Sequence, residues 1–165
     1  MKKIPRILVI DDENDICVFL KNILSEEGYE VLTALSVEKG IETVSLNRPD
    51  IVLIDKNIPA MSGIDGLTRI RDIDRNAVVI VMTAYGSMES AKHAMELGAF
   101  DYITKPFDLD YVKAVIKNSL RARPGASVSG TASGCRMTAR DGEGTASRQA
   151  ARNQPLLEGV QPLKK

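Results

Sequence analysis

The chain has no tryptophan, and aromatic residues make up only 4% of its 165 positions. None of them lies beyond Tyr111. Net charge is also missing: 22 Lys+Arg balance 22 Asp+Glu, so the whole chain has no bias toward polyanions. Cysteine is scarce. Cys17 and Cys135 are far apart and form no C-x-x-C, which argues against a redox pair or a thiolate metal site and suits a reducing cytosol. They read as a small buried helix residue and an incidental loop thiol. No apolar run approaches the ~18 residues that span a bilayer. Lys2 and Lys3 lead into Pro5, Arg6 and an early Asp11, without the apolar core of a signal peptide. The expected location is the cytoplasm, with no membrane contact. His93 is the single histidine, between Lys92 and near Glu96, and reads as a solvated helix residue. No intrinsic histidine-kinase chemistry is visible.

What is present divides the chain in two. Residues 1–123 hold 16 Lys+Arg against 19 Asp+Glu, and residues 124–165 hold 6 against 3. After Arg123 the text P-G-A-S-V-S-G-T-A-S-G opens a stretch rich in Gly, Ala, Ser, Thr and Arg. Too little apolar surface is available there to offset the entropy of ordering it. Residues 124–165 therefore read as a disordered low-complexity tail, whether native or non-native in sequence. Leu156, Leu157, Val160 and Leu163 offer one weak turn at most, between Pro155 and Pro162.

Residues 1–123 alternate two periods. Arg6 to Ile10 is a short apolar run ending in Asp11, Asp12 and Glu13. Ile51 to Ile54 has no polar alternation and stops at Asp55, followed by Asn57, Pro59, Ser62 and Gly63 as loop residues. Such runs suit strands buried on both faces. Tyr29 to Thr33, Ala77 to Met82 and Phe100 to Ile103 read as three more strands. Between them the spacing becomes helical. Ile16, Phe19, Leu20, Ile23 and Leu24 form one apolar stripe. Val37, Ile41 and Val44 form a second, after Ser36 as N-cap. Ile64, Leu67, Ile70 and Ile73 form a third. Met88, Ala91, Ala94 and Met95 give the inward face of a fourth helix, capped by Ser87. Leu109, Val112, Ile116 and Leu120 give a fifth, capped by Asp108. Gly28 and Gly98 supply helix stops. Strict β-α alternation over about 120 residues implies an α/β fold, a doubly wound parallel sheet of five strands with five helices.

In such a sheet the carboxyl ends of the strands open on one rim, where ligands bind. That rim receives Asp11, Asp12, Asp55, Thr83 and Lys105. Crowded carboxylates repel unless a cation sits among them. Oxygen ligands alone suit a hard cation, Mg²⁺. A divalent cation, an ammonium and a hydroxyl together fit a transferring phosphoryl group, with one carboxylate as nucleophile. Lys105-Pro106 is an X-Pro bond, for which cis is a minority form.

The segments I-L-V-I-D-D-E, I-V-L-I-D-K-N-I-P-A-M-S-G, V-M-T-A-Y-G and F-D-Y-I-T-K-P-F resemble the receiver domain of two-component response regulators over about residues 4–121. The wording is closest to receivers of the nitrogen-regulation type. The resemblance implies a flavodoxin-like sheet of strand order 2-1-3-4-5. It implies that Asp55 accepts a phosphoryl group from a histidine kinase, phosphotransfer protein or small phosphodonor. Asp11, Asp12, Asp55 and the backbone carbonyl of Asn57 would hold Mg²⁺. Lys105 would bind a phosphoryl oxygen. Thr83 would bond the phosphoryl group and draw its loop inward, with Tyr102 rotating alongside. A surface over about residues 87–121 would meet a downstream effector, plausibly in transcription control, and a phosphorylation-dependent homodimer is compatible with it. Such a domain is a phosphoacceptor that catalyses only its own phosphorylation and dephosphorylation. Direct nucleic-acid binding is not expected. Lys56 follows the acceptor where receivers are more often apolar, and strand alternation would turn it away from Asp55. No G-x-x-x-x-G-K-[ST] and no second periodic helical region accompany the domain. Two other readings compete. A Mg²⁺-dependent aspartyl-phosphate hydrolase would want a second carboxylate where Asn57 stands. A flavin-binding module would want a Ser/Thr/Gly-rich loop after the first strand.

Overall fold

The computed structural model describes residues 3–123. Five strands and five helices alternate: β1 (Arg6–Ile10), α1 (Asn14–Glu26), β2 (Glu30–Ala34), α2 (Val37–Asn47), β3 (Ile51–Asp55), α3 (Gly63–Ile73), β4 (Val78–Thr83), α4 (Met88–Glu96), β5 (Asp101–Thr104) and α5 (Leu109–Ala122). All strand pairs are parallel, in the order β2-β1-β3-β4-β5. This is the flavodoxin-like doubly wound sheet. The reading of residues 124–165 as a disordered tail lies outside the described residues.

Successive side chains of a strand point to opposite faces, and both faces here are covered. Ile7, Val9, Ile51, Leu53, Ile80, Met82 and Ile103 pack with Cys17, Leu20 and Leu24 of α1 and Val112, Val115 and Ile116 of α5. Leu8, Ile10, Val52, Ile54, Val79 and Val81 pack with Val37 and Val44 of α2, Leu67 and Ile70 of α3 and Ala94 of α4. This parity continues past the strand ends. Asp11, Asp55 and Lys105 fall in line with the α1/α5 side, and Thr83 and Tyr102 with the α4 side.

Two helix faces differ from the apolar stripes in the sequence. In α1 the fully buried residues are Cys17, Leu20 and Leu24, while Phe19 is 43% exposed. The small thiol lets α1 lie close to the sheet, with Cys17 Sγ 3.5 Å from the Asp11 carbonyl oxygen. Burial and the nearby Asp11 charge push its pKa up to about 11, so it stays a thiol. In α4 only Ala94 is buried, and Met88 is 80% exposed. A nine-residue helix over a four-residue edge strand has little sheet beneath it, so one alanine makes the close approach.

The helix starts follow local chemistry. Ser36, Ser62 and Ser87 accept the N–H of the third residue onward, and Asp108 accepts from Asp110 and Tyr111. Ser62 therefore caps α3 rather than filling a loop. After α1 and α4 the chain turns through Gly28 at φ 88° and Gly98 at φ 96°, conformations open to glycine without strain.

Candidate functional site

Three strand ends deliver the central side chains. Asp11 follows β1, Asp55 ends β3 and Lys105 follows β5. Asp11 is fully buried and Asp55 is 5% exposed. The Lys105 ammonium lies between them, 2.7 Å from Asp11 Oδ2 and in hydrogen-bond contact with Asp55 Oδ2. The other oxygens are also held. The Glu13 amide donates to Asp11 Oδ1 at 3.0 Å, and the Asn57 amide donates to Asp55 Oδ1 at 2.7 Å. Asp55 thus sits in a fixed orientation, with one oxygen on a backbone amide and one on an ammonium.

The backbone holds this corner too. Gly63 N–H donates to the Lys56 carbonyl at 2.9 Å, and a Cβ on Gly63 would overlap the Asp55 carbonyl oxygen. The first residue of α3 must therefore be glycine for β3 to end where it does. Lys105 N–H donates to the Thr83 carbonyl at 2.7 Å, which places the ammonium by extending the β4–β5 ladder. The Lys105–Pro106 bond is cis. Lys56 N–H donates to Met82 O at 2.8 Å, so the β3–β4 ladder runs one residue beyond Asp55.

The electrostatics are unbalanced. Two buried carboxylates share one ammonium. Burial raises the Asp11 pKa, the Lys105 and Glu13 hydrogen bonds oppose that, and the Asp55 charge adds to it; the net direction is up. Burial alone would lower the Lys105 pKa, but its bonds to Asp11 and Asp55 outweigh burial and raise it. The ammonium is charged at any physiological pH.

The carboxylate group differs from the sequence expectation at one position. The oxygens of Asp11, Glu13 and Asp55 lie within 4.8 Å of one another, whereas Asp12 is exposed and outside this group. Asp12 points away because its neighbour Asp11 points in. Glu13 has a longer side chain and reaches back, to 3.6 Å from Lys105 Nζ. Only the adjacency of three acids in D-D-E hinted at it.

Thr83 is buried, with its hydroxyl accepting the Tyr85 amide at 3.1 Å. Tyr102 is half-buried, with its hydroxyl 2.8 Å from Ser90 Oγ. Tyr102 packs on the α4 side of the sheet, and Thr83 stands at the carboxyl end of β4, on the same rim as the carboxylates. Asn57 contributes its amide to Asp55. No described helix is long and apolar enough to cross a membrane.

A five-stranded sheet of order 2-1-3-4-5, with buried aspartates and a lysine at its carboxyl rim, defines a class of phosphoacceptor domain. The response regulator receiver domain model matches residues 7–117, and the chain belongs to that family. Receivers of this family are phosphorylated on an aspartate in two-component signalling. Among curated proteins, the chain is 39% identical over 115 residues to sporulation initiation phosphotransferase F of Bacillus subtilis, covering 70% of this chain and 93% of that protein. It is 36% identical over 121 residues to regulatory protein AtoC of Escherichia coli, covering 73% of this chain but 26% of AtoC. Among solved structures, a response regulator receiver domain protein of Clostridium thermocellum superposes with TM-score 0.69 at 37% identity, covering 72% of this chain and 95% of that one. The beryllofluoride-activated NtrC4 receiver domain dimer gives TM-score 0.68 at 31% identity, covering 70% and 96%.

Proposed function

We propose that residues 1–123 form a phosphorylation-operated signalling domain in which Asp55 is the acceptor. The observation that carries this is the fixing of the buried Asp55 carboxylate by Asn57 N–H and Lys105 beside a second buried carboxylate, Asp11. An Asp55 oxygen attacks the phosphorus of a phosphohistidine on a histidine kinase or phosphotransfer protein, or of a small acyl phosphate. A new O–P bond forms, the bond to the donor breaks, and the donor leaves with the electron pair. Lys105 offsets charge on the phosphoryl oxygens. Thr83 offers a hydroxyl to the transferred group, and Tyr102 follows the loop that Thr83 begins.

The donor set fits Mg²⁺. It is all oxygen, two of its carboxylates are buried, and their charge exceeds that of the one lysine. Asp11, Asp12, Asp55 and the Asn57 carbonyl are proposed as the protein ligands, with the Glu13 carboxylate beside them. The ion would supply charge neutralisation for the phosphoryl oxygens. The domain catalyses its own phosphorylation and dephosphorylation and turns over no external substrate.

Output is proposed through residues 87–121, where Met88, Met95, Phe100 and Tyr111 are exposed. The NtrC4 receiver is described as a dimer, and a phosphorylation-dependent homodimer of this chain through the same region is the corresponding proposal. AtoC is a regulatory protein and ZraR a transcriptional regulatory protein, so the regulated partner is proposed to act in transcription. The proposed location is the cytoplasm.

Incubation with acetyl phosphate and Mg²⁺ tests the reading. One base-labile phosphoryl group per chain, absent with EDTA and absent in Asp55→Asn, is the expected result. Continuous phosphate release from many esters would instead favour a hydrolase.

A further inference from the structure

Ser90 is the third residue of α4 and does two jobs at once. It belongs to a capping box with Ser87: Ser90 N–H donates to Ser87 Oγ at 3.1 Å, and Ser87 N–H donates to Ser90 Oγ at 3.2 Å. Its hydroxyl also lies 3.0 Å from the Ser87 carbonyl oxygen and 2.8 Å from Tyr102 Oη. A serine hydroxyl has one proton and two lone pairs. With the proton on the Ser87 carbonyl and one lone pair on the Ser87 amide, the second lone pair faces both the Tyr102 hydroxyl at 2.8 Å and the Ser87 hydroxyl at 3.0 Å. A cap residue is thus also the anchor of a ring on β5.

The other side of that ring meets the loop between β4 and α4. A Cβ on Gly86 would lie 3.5 Å from Tyr102 Cε1, 3.6 Å from Thr83 Cγ2 and 2.8 Å from Thr104 Cγ2. A methyl at Gly86 would crowd Thr104 and touch Tyr102 and Thr83, so the exposed loop passes close to all three side chains. The same loop is pinned at its start, where Tyr85 N–H bonds Thr83 Oγ1. Thr83 and Thr104 are register partners on adjacent strands. Thr83, Gly86, Ser87, Ser90, Tyr102 and Thr104 thus lie in one neighbourhood, so a displacement of Thr83 has the Tyr102 ring and the start of α4 next to it.

We propose that Ser90 is a positioning residue that joins these two movements, so that the Tyr102 ring and the N-terminus of α4 shift together when Asp55 is phosphorylated. This rests on Asp55 being the phosphoacceptor. The hydroxyl at position 90, rather than the cap as such, is what carries the coupling.

The test follows amide resonances of residues 88–96 and the Tyr102 ring resonances of the full chain by NMR, before and after acetyl phosphate with Mg²⁺. In the parent chain both sets move in parallel. Ser90→Ala keeps stoichiometric Asp55 labelling, but the equilibrium linking ring and helix weakens by roughly fivefold, the scale of one net hydrogen bond. Ser90→Thr, which keeps a hydroxyl, restores the parallel response. Ser87→Ala removes the cap acceptor, leaves the Tyr102 partner in place and retains the parallel response. In a Tyr102→Phe background, Ser90→Ala has no further effect on coupling. Equal effects of Ser87→Ala and Ser90→Ala would reduce Ser90 to a cap residue and overturn the proposal. So would a Ser90→Ala effect that persists in Tyr102→Phe. Absence of Asp55 labelling in the parent chain would overturn the phosphoacceptor reading alone. The Ser90–Tyr102 coupling would then be read without label, as non-additive effects of Ser90→Ala and Tyr102→Phe on amide exchange in α4, with additivity counting against it.

Discussion

Asp50 precedes and Asp55 ends the same five-residue strand; they are the same residue type and both 5% exposed, yet their surroundings are opposite. Asp50 receives the Arg6 amide at 2.8 Å, an ion pair from Arg123 and the Lys3 ammonium at 3.6 Å. One carboxylate there faces three basic side chains or their backbone. Burial would raise its pKa, but the Arg6 amide, Arg123 and Lys3 outweigh burial and hold it below the usual carboxylate range. At the other end Asp55 and Asp11 share the single ammonium of Lys105, and the Asp11 pKa is raised. The amino end of β3 is saturated with positive charge and has nothing left to bind. The carboxyl end carries surplus negative charge held in a rigid frame, which suits the cation and phosphoryl group proposed for it. Burial of an aspartate does not by itself mark a functional site; the charge balance around it does.

Removing Lys105 should break the comparison most severely. Lys105→Met leaves Asp11 and Asp55 buried with no cation, and in EDTA at neutral pH stability should fall by about 4 kcal/mol. The loss should shrink as pH falls, because protonation relieves the pair, and Asp11→Asn in the same chain should recover part of it. Urea denaturation of the single and double variants checks this. An unchanged midpoint for Lys105→Met would mean the carboxylates are not held by that ammonium.

Gly63→Ala should come next. The acceptor end is held by backbone packing, and a methyl group against the Asp55 carbonyl should cost about 3 kcal/mol and slow labelling by acetyl phosphate. Full stability and a normal labelling rate would show that α3 can shift freely without moving Asp55.

Asp50→Asn should be milder, at about 2 kcal/mol for a buried charged partner lost. Its pH dependence sharpens the contrast. A carboxyl held below its ordinary pKa contributes stability above the ordinary value and loses it as pH falls through the lowered one. The gap between parent and Asp50→Asn should therefore be widest near neutrality and shrink as pH falls below the ordinary carboxylate value. Asp11 has the opposite sign. Its raised pKa means the native state holds the proton more tightly, so its contribution declines as pH rises above the ordinary carboxylate range. A gap for Asp50→Asn that widens in acid would contradict the assignment.

These two ends were unequally legible in the sequence. The carboxyl rim could be read because each member closes a short apolar run, and runs ending in Asp11, Asp55, Thr83 and Lys105 are local patterns. The alternation and the caps Ser36, Ser87 and Asp108 follow from equally local signals, whereas the strand order came only from the resemblance to receiver domains. Asp50 could not be read. Its partners Arg6 and Arg123 are 44 and 73 residues away, and nothing near Pro49-Asp50 announces them. Glu13 was hidden behind Asp12, because adjacency does not reveal which exposed acid has an oxygen near Asp11 and Asp55. The α4 face was misjudged because helical spacing reports which residues are apolar, not how much sheet lies beneath them. Ser90 was invisible for a related reason: its second partner, Tyr102, lies on the next strand.

The most direct test of the central claim is a matched pair of isosteric variants on one strand. Parent chain, Asp50→Asn and Asp55→Asn are each incubated with acetyl phosphate and Mg²⁺, and the intact mass of each is measured. Parent and Asp50→Asn should each gain one phosphoryl group, the latter despite its lower stability, and Asp55→Asn should gain none while remaining folded. Labelling of Asp55→Asn at the parental level, or its loss in a folded Asp50→Asn, would contradict the account.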